Sequence, residues 1–290
     1  MTALDNYVAP ASLEQAVEQL QELGEVTILA GGTDLMPQSN AGRVKFKRTL
    51  MNIRRIPELR GISREGDEIR IGALATITEI MAHPLVREHL PLLVATGDHF
   101  ASGQIRNAAT LGGNICNASP AGDTLVPLMV LGASVELASK PDDALFRRSM
   151  PLPEFFVGPG KTRLAPAELL TAVRIPIPPK GFVARFHKFG TRPALDISAI
   201  SIGVAGVLKD GKLSQVRVAF GAVAPTPVCG CATEEALEGR KLDAATIAAA
   251  ARAAQDEVHP ISDVRASAWY RKEMIHNMTR RILEDVAANH

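Results

Sequence analysis

Two glycine pairs, each following a short apolar run, place the strongest constraint on how this chain folds. Residues 26–35 read VTILAGGTDL, and residues 108–115 read AATLGGNI. Each pattern predicts a strand ending in a glycine turn, where backbone N–H groups bare of side chains form a nest for anions. Neither segment contains a basic residue, so the backbone alone would hold a diphosphate. Two such turns predict a binding site in which both contact one elongated dinucleotide.

The usual phosphate-binding fingerprints are missing from the sequence. No G-x-G-x-x-G motif opens a predicted helix, and no G-x-x-x-x-G-K-[ST] motif occurs. Rossmann and P-loop folds therefore lose their main support. Taken singly, each glycine pair is equally consistent with a tight turn, because glycine adopts turn conformations without steric cost.

The charge balance argues against nucleic-acid and membrane partners. Lysine and arginine total 32 against 31 aspartate and glutamate, and aromatic residues make up only 4%. Neither a basic surface nor a stacking platform for bases is expected. No apolar run approaches the ~20 residues of a membrane span, and residues 1–6 show no signal-peptide pattern. Cys116, Cys229 and Cys231 match no zinc or iron–sulfur spacing. We therefore expect free thiols, no metal site and a cytoplasmic location.

Local signals predict mixed helices and strands up to residue 178. Ser12 with Gln15, and Thr76 with Glu79, are typical of helix N-termini, and Gly24 fits the end of the first helix. Periodicity predicts further helices at residues 90–100 and 125–131 and strands at residues 26–30, 49–53, 67–71, 134–138 and 169–175. We predict an α+β domain over residues 1–178.

A proline-rich run marks the predicted boundary to a second, smaller domain. Residues 176–181 read PIPPKG, and proline disfavours both a helix interior and a central strand. Beyond it, alternating residues on both sides of the turn at 209–212 predict a β-hairpin. Asp243 and Ser262 are predicted N-caps of two closing helices. Residues 179–290 are thus expected to form a sheet-and-helix domain.

Four segments resemble one protein family over nearly the whole chain. They are residues 30–35 (AGGTDL), 104–114 (QIRNAATLGGN), 118–123 (ASPAGD) and 263–271 (DVRASAWYR). In sequence and order they are similar to the FAD-binding medium subunit of the molybdenum hydroxylases, such as xanthine dehydrogenase, carbon monoxide dehydrogenase and aldehyde oxidoreductases. The resemblance implies a two-subdomain FAD-binding fold of the vanillyl-alcohol oxidase type, followed by a small C-terminal domain.

The resemblance also implies which residues bind FAD and what each does. The diphosphate and ribityl chain would be held by Ile28, Leu29, Ala30, Gly31, Gly32, Thr33, Asp34, Leu35, Thr110, Leu111, Gly112, Gly113 and Asn114. Asp123 would bind sugar-type hydroxyls, the alternative being a charge at a helix N-terminus. Phe100 would lie near the flavin, or be an ordinary core residue. Leu170 and Lys188 would lie near the isoalloxazine, although a solvated strand lysine is the alternative for Lys188.

The family's chemistry defines what this chain can and cannot do alone. Thr33 stands where related covalent flavoproteins carry a histidine, so FAD is expected to be non-covalent. By resemblance, a large subunit would carry molybdopterin and a small subunit [2Fe–2S] clusters, in a dimer of heterotrimers. FAD here would pass electrons to NAD, O₂ or another acceptor, with no catalytic side chain. The alternatives are a free-standing FAD-dependent oxidase or reductase of the same fold, with His187 and Arg192 as loose candidates, and a non-enzymatic scaffold.

An arginine interrupts the apolar face of the last predicted helix. The apolar residues on that face are Val264, Ala268, Ile275, Met278 and Ile282. Arg271 falls among them, and a buried arginine usually has an anionic partner. We predict a structural ion pair, with contact to the cofactor as the alternative.

Overall fold

A small parallel sheet begins the chain in the computed structural model, which describes residues 4–142, 144–192 and 195–288. Residues 1–3, the start of the segment checked for a signal peptide, lie outside this description. The first elements are β1 (Asn6–Val8), α1 (Leu13–Leu23), β2 (Val26–Leu29), α2 (Leu35–Asn40) and β3 (Thr49–Asn52). Strand β3 is central, with β1 and β2 parallel to it on either side.

Helix α1 begins and ends at the predicted residues. The Ser12 hydroxyl accepts the N–H of Gln15, and Gly24 ends the helix with a φ of 65°. The buried Leu13 and Val17 of α1 share an apolar core with Met51 of β3. Ile28 and Ala30, which lead into the first glycine pair, pack against the same core.

A five-stranded antiparallel sheet and a group of short helices follow. In chain order the elements are β4 (Ile62–Glu65), β5 (Glu68–Gly72), α3 (Ile77–Ala82), α4 (Pro84–His89), α5 (Pro91–Asp98), α6 (Gly103–Arg106), α7 (Leu111–Asn117), α8 (Leu125–Val130), β6 (Ser134–Ser139), β7 (Phe146–Pro151), α9 (Leu152–Phe155), β8 (Phe156–Gly158), β9 (Lys161–Thr162) and β10 (Leu169–Pro176). The sheet order is β4-β5-β10-β6-β7, and β8 and β9 form a separate hairpin. The helices α3, α5, α7 and α8 share one apolar core with the sheet.

A single carboxylate organises the polar side of this sheet. The buried Glu136 of β6 accepts hydrogen bonds from Arg70 at 3.1 Å, Arg147 at 2.9 Å and Arg174 at 2.9 Å. Thr171 Oγ1 donates to the same carboxylate at 2.7 Å. Burial alone would raise the pKa of Glu136, but these donors lower it to about 2.

Over the residues described in the C-terminal part, the chain forms a second antiparallel sheet and three helices. Its elements are β11 (Phe182–Phe189), β12 (Ile200–Lys209), β13 (Lys212–Gly221), β14 (Val228–Cys229), α10 (Cys231–Leu237), β15 (Arg240–Lys241), α11 (Ala244–Glu257) and α12 (Ala268–Ala288). The sheet order is β11-β12-β13-β14, and β15 pairs with β13. Asp210 and Gly211 turn between β12 and β13 with positive φ angles of 52° and 72°, which confirms the predicted hairpin.

One of the two predicted N-caps near the C-terminus is confirmed and the other is wrong. Asp243 Oδ1 accepts the N–H of Thr246 at 2.8 Å at the start of α11. Helix α12 begins only at Ala268, and Ser267 Oγ accepts the N–H of Tyr270 there. Ser262 lies outside the helix, although its hydroxyl accepts the N–H of Ala268. In the described ranges, no helix is both long and apolar enough to cross a membrane.

Helix α8 lies between the N-terminal part and the C-terminal sheet. All of its residues are buried, and it contacts β11, β12 and β13. A Cβ added to Gly203 would lie 3.0 Å from Val126 and 3.1 Å from Val130, and one added to Gly221 would lie 3.1 Å from Val126. Small residues on the sheet therefore let α8 pack closely against it.

Candidate functional site

A cavity of about 370 Å³ opens where the first glycine pair, the N-terminus of α7 and the start of β10 meet. Most of the residues predicted to bind a cofactor line it: Ile28, Ala30, Gly31, Gly32, Thr33, Asp34, Leu35, Phe100, Thr110, Gly112, Gly113, Asn114 and Leu170. The structure therefore brings together two segments that lie about 80 residues apart in the sequence.

The first glycine pair forms an open nest of backbone donors. It lies between β2 and α2, with Gly32 at a φ of 73°, where glycine carries no steric penalty. The first helical bonds run from Met36 N–H to the Gly32 carbonyl and from Gln38 N–H to the Asp34 carbonyl. Within the described part of the chain, no acceptor takes the N–H groups of residues 31–35. Because residues 31–35 line the cavity, their open donors are available to an anion bound there.

The second glycine pair differs from the prediction. It does not follow a strand but lies in the first turn of α7, and its N–H groups are already used. Gly112 N–H donates to the Ala73 carbonyl at 2.9 Å, and Gly113 N–H donates to Thr110 Oγ1 at 3.2 Å. The sequence pattern could not show the acceptor at Ala73, because this residue follows β5 and lies far from Gly112 in the sequence. The second segment therefore contributes close packing and side chains rather than a second nest.

Two side chains of the second segment can still serve a ligand. Thr110 and Asn114 both line the cavity. Asn114 Oδ1 accepts the Thr124 hydroxyl at 2.7 Å, which leaves the Asn114 amino group as the donor available to the cavity. The backbone N–H of Thr124, which can only donate, lies 3.4 Å from the same Asn114 atom and supports its assignment as the amide oxygen.

Gly31 is the point of contact between the two segments. A Cβ added to Gly31 would lie 2.0 Å from the carbonyl oxygen of Ala108 and 2.9 Å from its carbonyl carbon. Both atoms belong to the backbone, so no rotamer change could relieve the overlap. Only glycine allows the loop after β2 to lie against the segment that leads into α7.

The rest of the cavity wall is mainly apolar. Phe100 and Leu170 are 7% and 3% exposed, so both are core residues that also line the cavity. Sequence reasoning missed Val44, Ile53, Ala73, Leu74, Ala109, Cys116, Asn117, Leu164, Glu168 and Leu169. The only signal for Leu164, Glu168 and Leu169 was their nearness to Leu170, since none of them belongs to a recognisable motif.

Four of the predicted binding residues do not line this cavity. Leu29 belongs to β2, and Leu111 is buried in the core of the antiparallel sheet. Asp123 and Lys188 form an ion pair of 2.8 Å that joins the segment before α8 to β11. Lys188 Nζ also donates to the His99 carbonyl at 3.2 Å. His99 precedes the cavity residue Phe100, so this hydrogen bond links the pair to a segment of the cavity wall.

The Asp123–Lys188 pair is shielded from solvent. The side chain of Asp123 is 14% exposed and that of Lys188 is 9% exposed, so Lys188 is not a solvated strand lysine. Burial raises the pKa of the Asp123 carboxyl, while Lys188 and the Ser198 hydroxyl act in the opposite direction. The pair therefore places opposite, poorly solvated charges at the junction of the two parts of the chain.

Arg271 makes the predicted structural ion pair. It is 4% exposed, and its Nη2 lies 2.7 Å from Asp263 Oδ1. Its Nη1 donates to the buried carbonyl of Ala222 at 2.9 Å. Val264 does not belong to the helical face, because it precedes α12 and is 98% exposed. Arg271 does not line the cavity, so its role here is to tie the segment before α12 to the end of the sheet.

Two protein-family models together match most of the chain. The model described as the FAD binding domain in molybdopterin dehydrogenase matches residues 2–178. The model described as the CO dehydrogenase flavoprotein C-terminal domain matches residues 185–286.

Curated relatives and solved structures agree with these models. The chain is 34% identical over 285 residues to the xanthine dehydrogenase FAD-binding subunit of Escherichia coli O157:H7, covering 98% of this chain and 96% of that protein. It is 33% identical over 284 residues to the carbon monoxide dehydrogenase medium chain of Afipia carboxidovorans, with coverages of 98% and 96%. A carbon monoxide dehydrogenase structure from Hydrogenophaga pseudoflava aligns with a TM-score of 0.91 at 32% identity, covering 97% and 96%.

The chain therefore belongs to the family of FAD-binding subunits of the molybdenum hydroxylases, and it is an oxidoreductase subunit. This confirms the resemblance seen in the sequence. It also confirms the expected α+β fold, with an FAD-binding domain followed by a C-terminal domain.

Proposed function

We propose that the chain binds one FAD non-covalently and transfers its electrons within a molybdenum hydroxylase complex. The observation that carries the proposal is the loop of residues 31–35, whose backbone N–H groups are open beside an apolar cavity. Such a loop can donate hydrogen bonds from neutral N–H groups to a diphosphate. The apolar wall can pack against the rings of a dinucleotide.

The binding roles follow from what each residue presents. The backbone N–H groups of Gly31, Gly32, Thr33, Asp34 and Leu35 would hold the diphosphate side, and Ile28, Leu29 and Ala30 would lead the backbone into this loop. Thr110 and Asn114 would donate from their side chains, and Leu111, Gly112 and Gly113 would set the packing of that segment. Phe100 and Leu170 would contact the rings. Asp123 and Lys188, linked to a segment of the cavity wall through the His99 carbonyl, would serve the flavin end, with Asp123 accepting hydroxyl hydrogens and Lys188 supplying a positive charge.

Attachment of FAD without a covalent bond is supported by the cavity wall. Its residues in the described part of the chain include no histidine. Thr33 occupies the loop position at which related covalent flavoproteins carry a histidine. The one thiol in the wall belongs to Cys116, and burial raises its pKa to about 12. A thiol with so high a pKa is a poor nucleophile at neutral pH.

FAD supplies reversible electron transfer when it is bound, and the protein supplies orientation and charge. Relatives are named medium chains or FAD-binding subunits of dehydrogenases. These names support the proposal that this chain also assembles with partner subunits. We place molybdopterin in a large subunit and [2Fe–2S] clusters in a small subunit, as a dimer of heterotrimers. Electrons would reach FAD from the clusters and leave to NAD, O₂ or another acceptor.

The proposal extends to domain limits and location. Residues 1–178 would form the FAD-binding domain and residues 179–290 the C-terminal flavoprotein domain. Cys116, Cys229 and Cys231 are all free thiols, which supports a reducing compartment such as the cytoplasm.

Release of the cofactor tests the mode of binding. The purified chain, loaded with FAD, is precipitated by heat or acid, and flavin absorbance is measured in the supernatant and in the pellet. We expect all the flavin in the supernatant. Flavin retained on the washed pellet would show covalent attachment, and failure of the chain to take up FAD would refute the proposal.

Substrate turnover separates an electron-transfer subunit from a free-standing oxidase. His187, the candidate acid–base residue for that alternative, does not line the cavity, and burial lowers its pKa. The FAD-loaded chain alone should pass electrons from a chemical reductant to a small-molecule acceptor, yet oxidise no hydroxylase substrate such as a purine or an aldehyde. Turnover of such a substrate by the isolated chain would favour the free-standing enzyme.

A further inference from the structure

An ion pair between a buried carboxylate and a partly exposed arginine fixes one wall of the cavity. Arg148 of β7 contacts the Glu168 carboxylate with both ends of its guanidinium, Nε to Oε1 at 2.6 Å and Nη2 to Oε2 at 2.7 Å. The Glu168 side chain is 6% exposed, and Glu168 lines the cavity. Arg148 lowers the pKa of Glu168, so the carboxylate is charged at neutral pH.

The same two residues also hold the loop that leads into β10. Arg148 Nη2 donates to the Arg163 carbonyl at 3.1 Å, and Glu168 Oε2 accepts the Ala165 N–H at 2.9 Å. The ion pair therefore fixes residues 163–168 at both ends. This loop brings Leu164 to the cavity.

Strand register explains how Arg148 reaches this loop. Strand β6 pairs with β7 on one side and with β10 on the other. Leu137 of β6 lies opposite Arg148 of β7 and opposite Leu170 of β10. Arg148 therefore reaches across β6 to the residue that precedes β10. Arg147, the preceding residue of β7, binds Glu136 instead, because successive side chains of a strand point to opposite faces.

We propose that Arg148 and Glu168 are positioning residues for the cofactor, which hold the wall formed by Leu164, Leu169 and Leu170 in its binding conformation. This rests on the proposed function, since the ligand of the cavity is taken to be FAD. Neither residue needs to contact FAD. Their effect comes from preorganisation, because a wall that is already fixed does not have to be ordered when the ligand binds.

The test measures the Kd of FAD for the apoprotein by quenching of flavin fluorescence. We expect Arg148→Ala to raise the Kd by about tenfold or more, because the loop and the side chains of the wall would have to be ordered when FAD binds. Arg148→Lys, which keeps the charge but loses the bidentate geometry, should fall between Arg148→Ala and the wild type. If Arg148→Ala does not fold, the double variant Arg148→Met with Glu168→Gln removes both charges and should show the same increase.

Arg147→Ala is the matched control. It removes an ion pair of the same strand on the other face of the sheet, so it should lower the melting temperature without changing the Kd of FAD. A Kd within twofold of the wild type in the Arg148 variants would overturn the inference, as would an equal increase in Arg147→Ala. Failure of the wild type to bind FAD would overturn the proposed function and this inference with it.

Discussion

Gly31→Ala tests whether the close contact between the two cavity segments is required for cofactor binding. The added Cβ would lie 2.0 Å from the Ala108 carbonyl oxygen, whereas Cβ atoms essentially never lie closer than 3.0 Å to such a neighbour. The two backbone segments would have to separate by an amount on the order of 1 Å, since neither partner atom belongs to a side chain that can rotate.

The expected loss of affinity follows from the donors that this movement displaces. Residues 31–35 carry the open N–H groups, and a hydrogen bond to a charged acceptor contributes about 1.5–3 kcal/mol. Loss of two such bonds to a diphosphate would cost about 3–6 kcal/mol. Because about 1.4 kcal/mol changes an affinity tenfold, the Kd of FAD should rise by about 100-fold or more.

The assay is a titration of the apoprotein with FAD, followed by flavin fluorescence, at a temperature well below the unfolding transition. Gly103→Ala is the matched control, because a Cβ at Gly103 would meet no atom within 4 Å. The melting temperature of each apoprotein separates lost affinity from lost stability. An FAD affinity of Gly31→Ala within threefold of the wild type, with Gly103→Ala also unchanged, would refute the reasoning.

Three further substitutions test other parts of the molecule. Gly112→Val should destabilise the chain by about 1–3 kcal/mol in urea unfolding, because its Cβ would lie 2.7 Å from the Ala73 side chain. Lys188→Ala leaves the Asp123 carboxylate without its cation, so a spectroelectrochemical titration should show a lower flavin reduction potential than in Lys188→Arg. Glu136→Gln should cost about 3 kcal/mol of unfolding free energy at pH 7. The pKa of Glu136 is lowered from 4.5 to about 2, so its contribution is complete above pH 4.5 and lost as the pH falls toward 2. The difference in urea midpoint between Glu136→Gln and the wild type should therefore be smaller at pH 3 than at pH 7.

The elements that could be predicted from the sequence are those whose signals are local. The start of α1 at Ser12 and the turn at Asp210 and Gly211 depend on a few neighbouring residues, and both were predicted. The first glycine loop also has its donors and its turn within a short stretch. The order of the strands was not predicted, since it depends on contacts between distant segments.

The parts of the site that escaped prediction depend on distant partners. Nothing in AATLGGNI shows that the N–H of Gly112 already binds Ala73. The resemblance named Asp123 and Lys188, but only the structure shows that they pair with each other. Glu168 lies outside every motif, and its place in the cavity wall follows from the register of three strands.

The close packing of α8 has a consequence for how the molecule can be divided. The segments matched by the two family models meet in the sequence between residues 178 and 185. In the molecule, however, Val126 and Val130 of the first segment cover Gly203 and Gly221 of the second. A polypeptide cut at that boundary would leave one apolar side of the C-terminal sheet bare. The two segments are therefore separable in an alignment, whereas in the molecule they share one packed apolar interface.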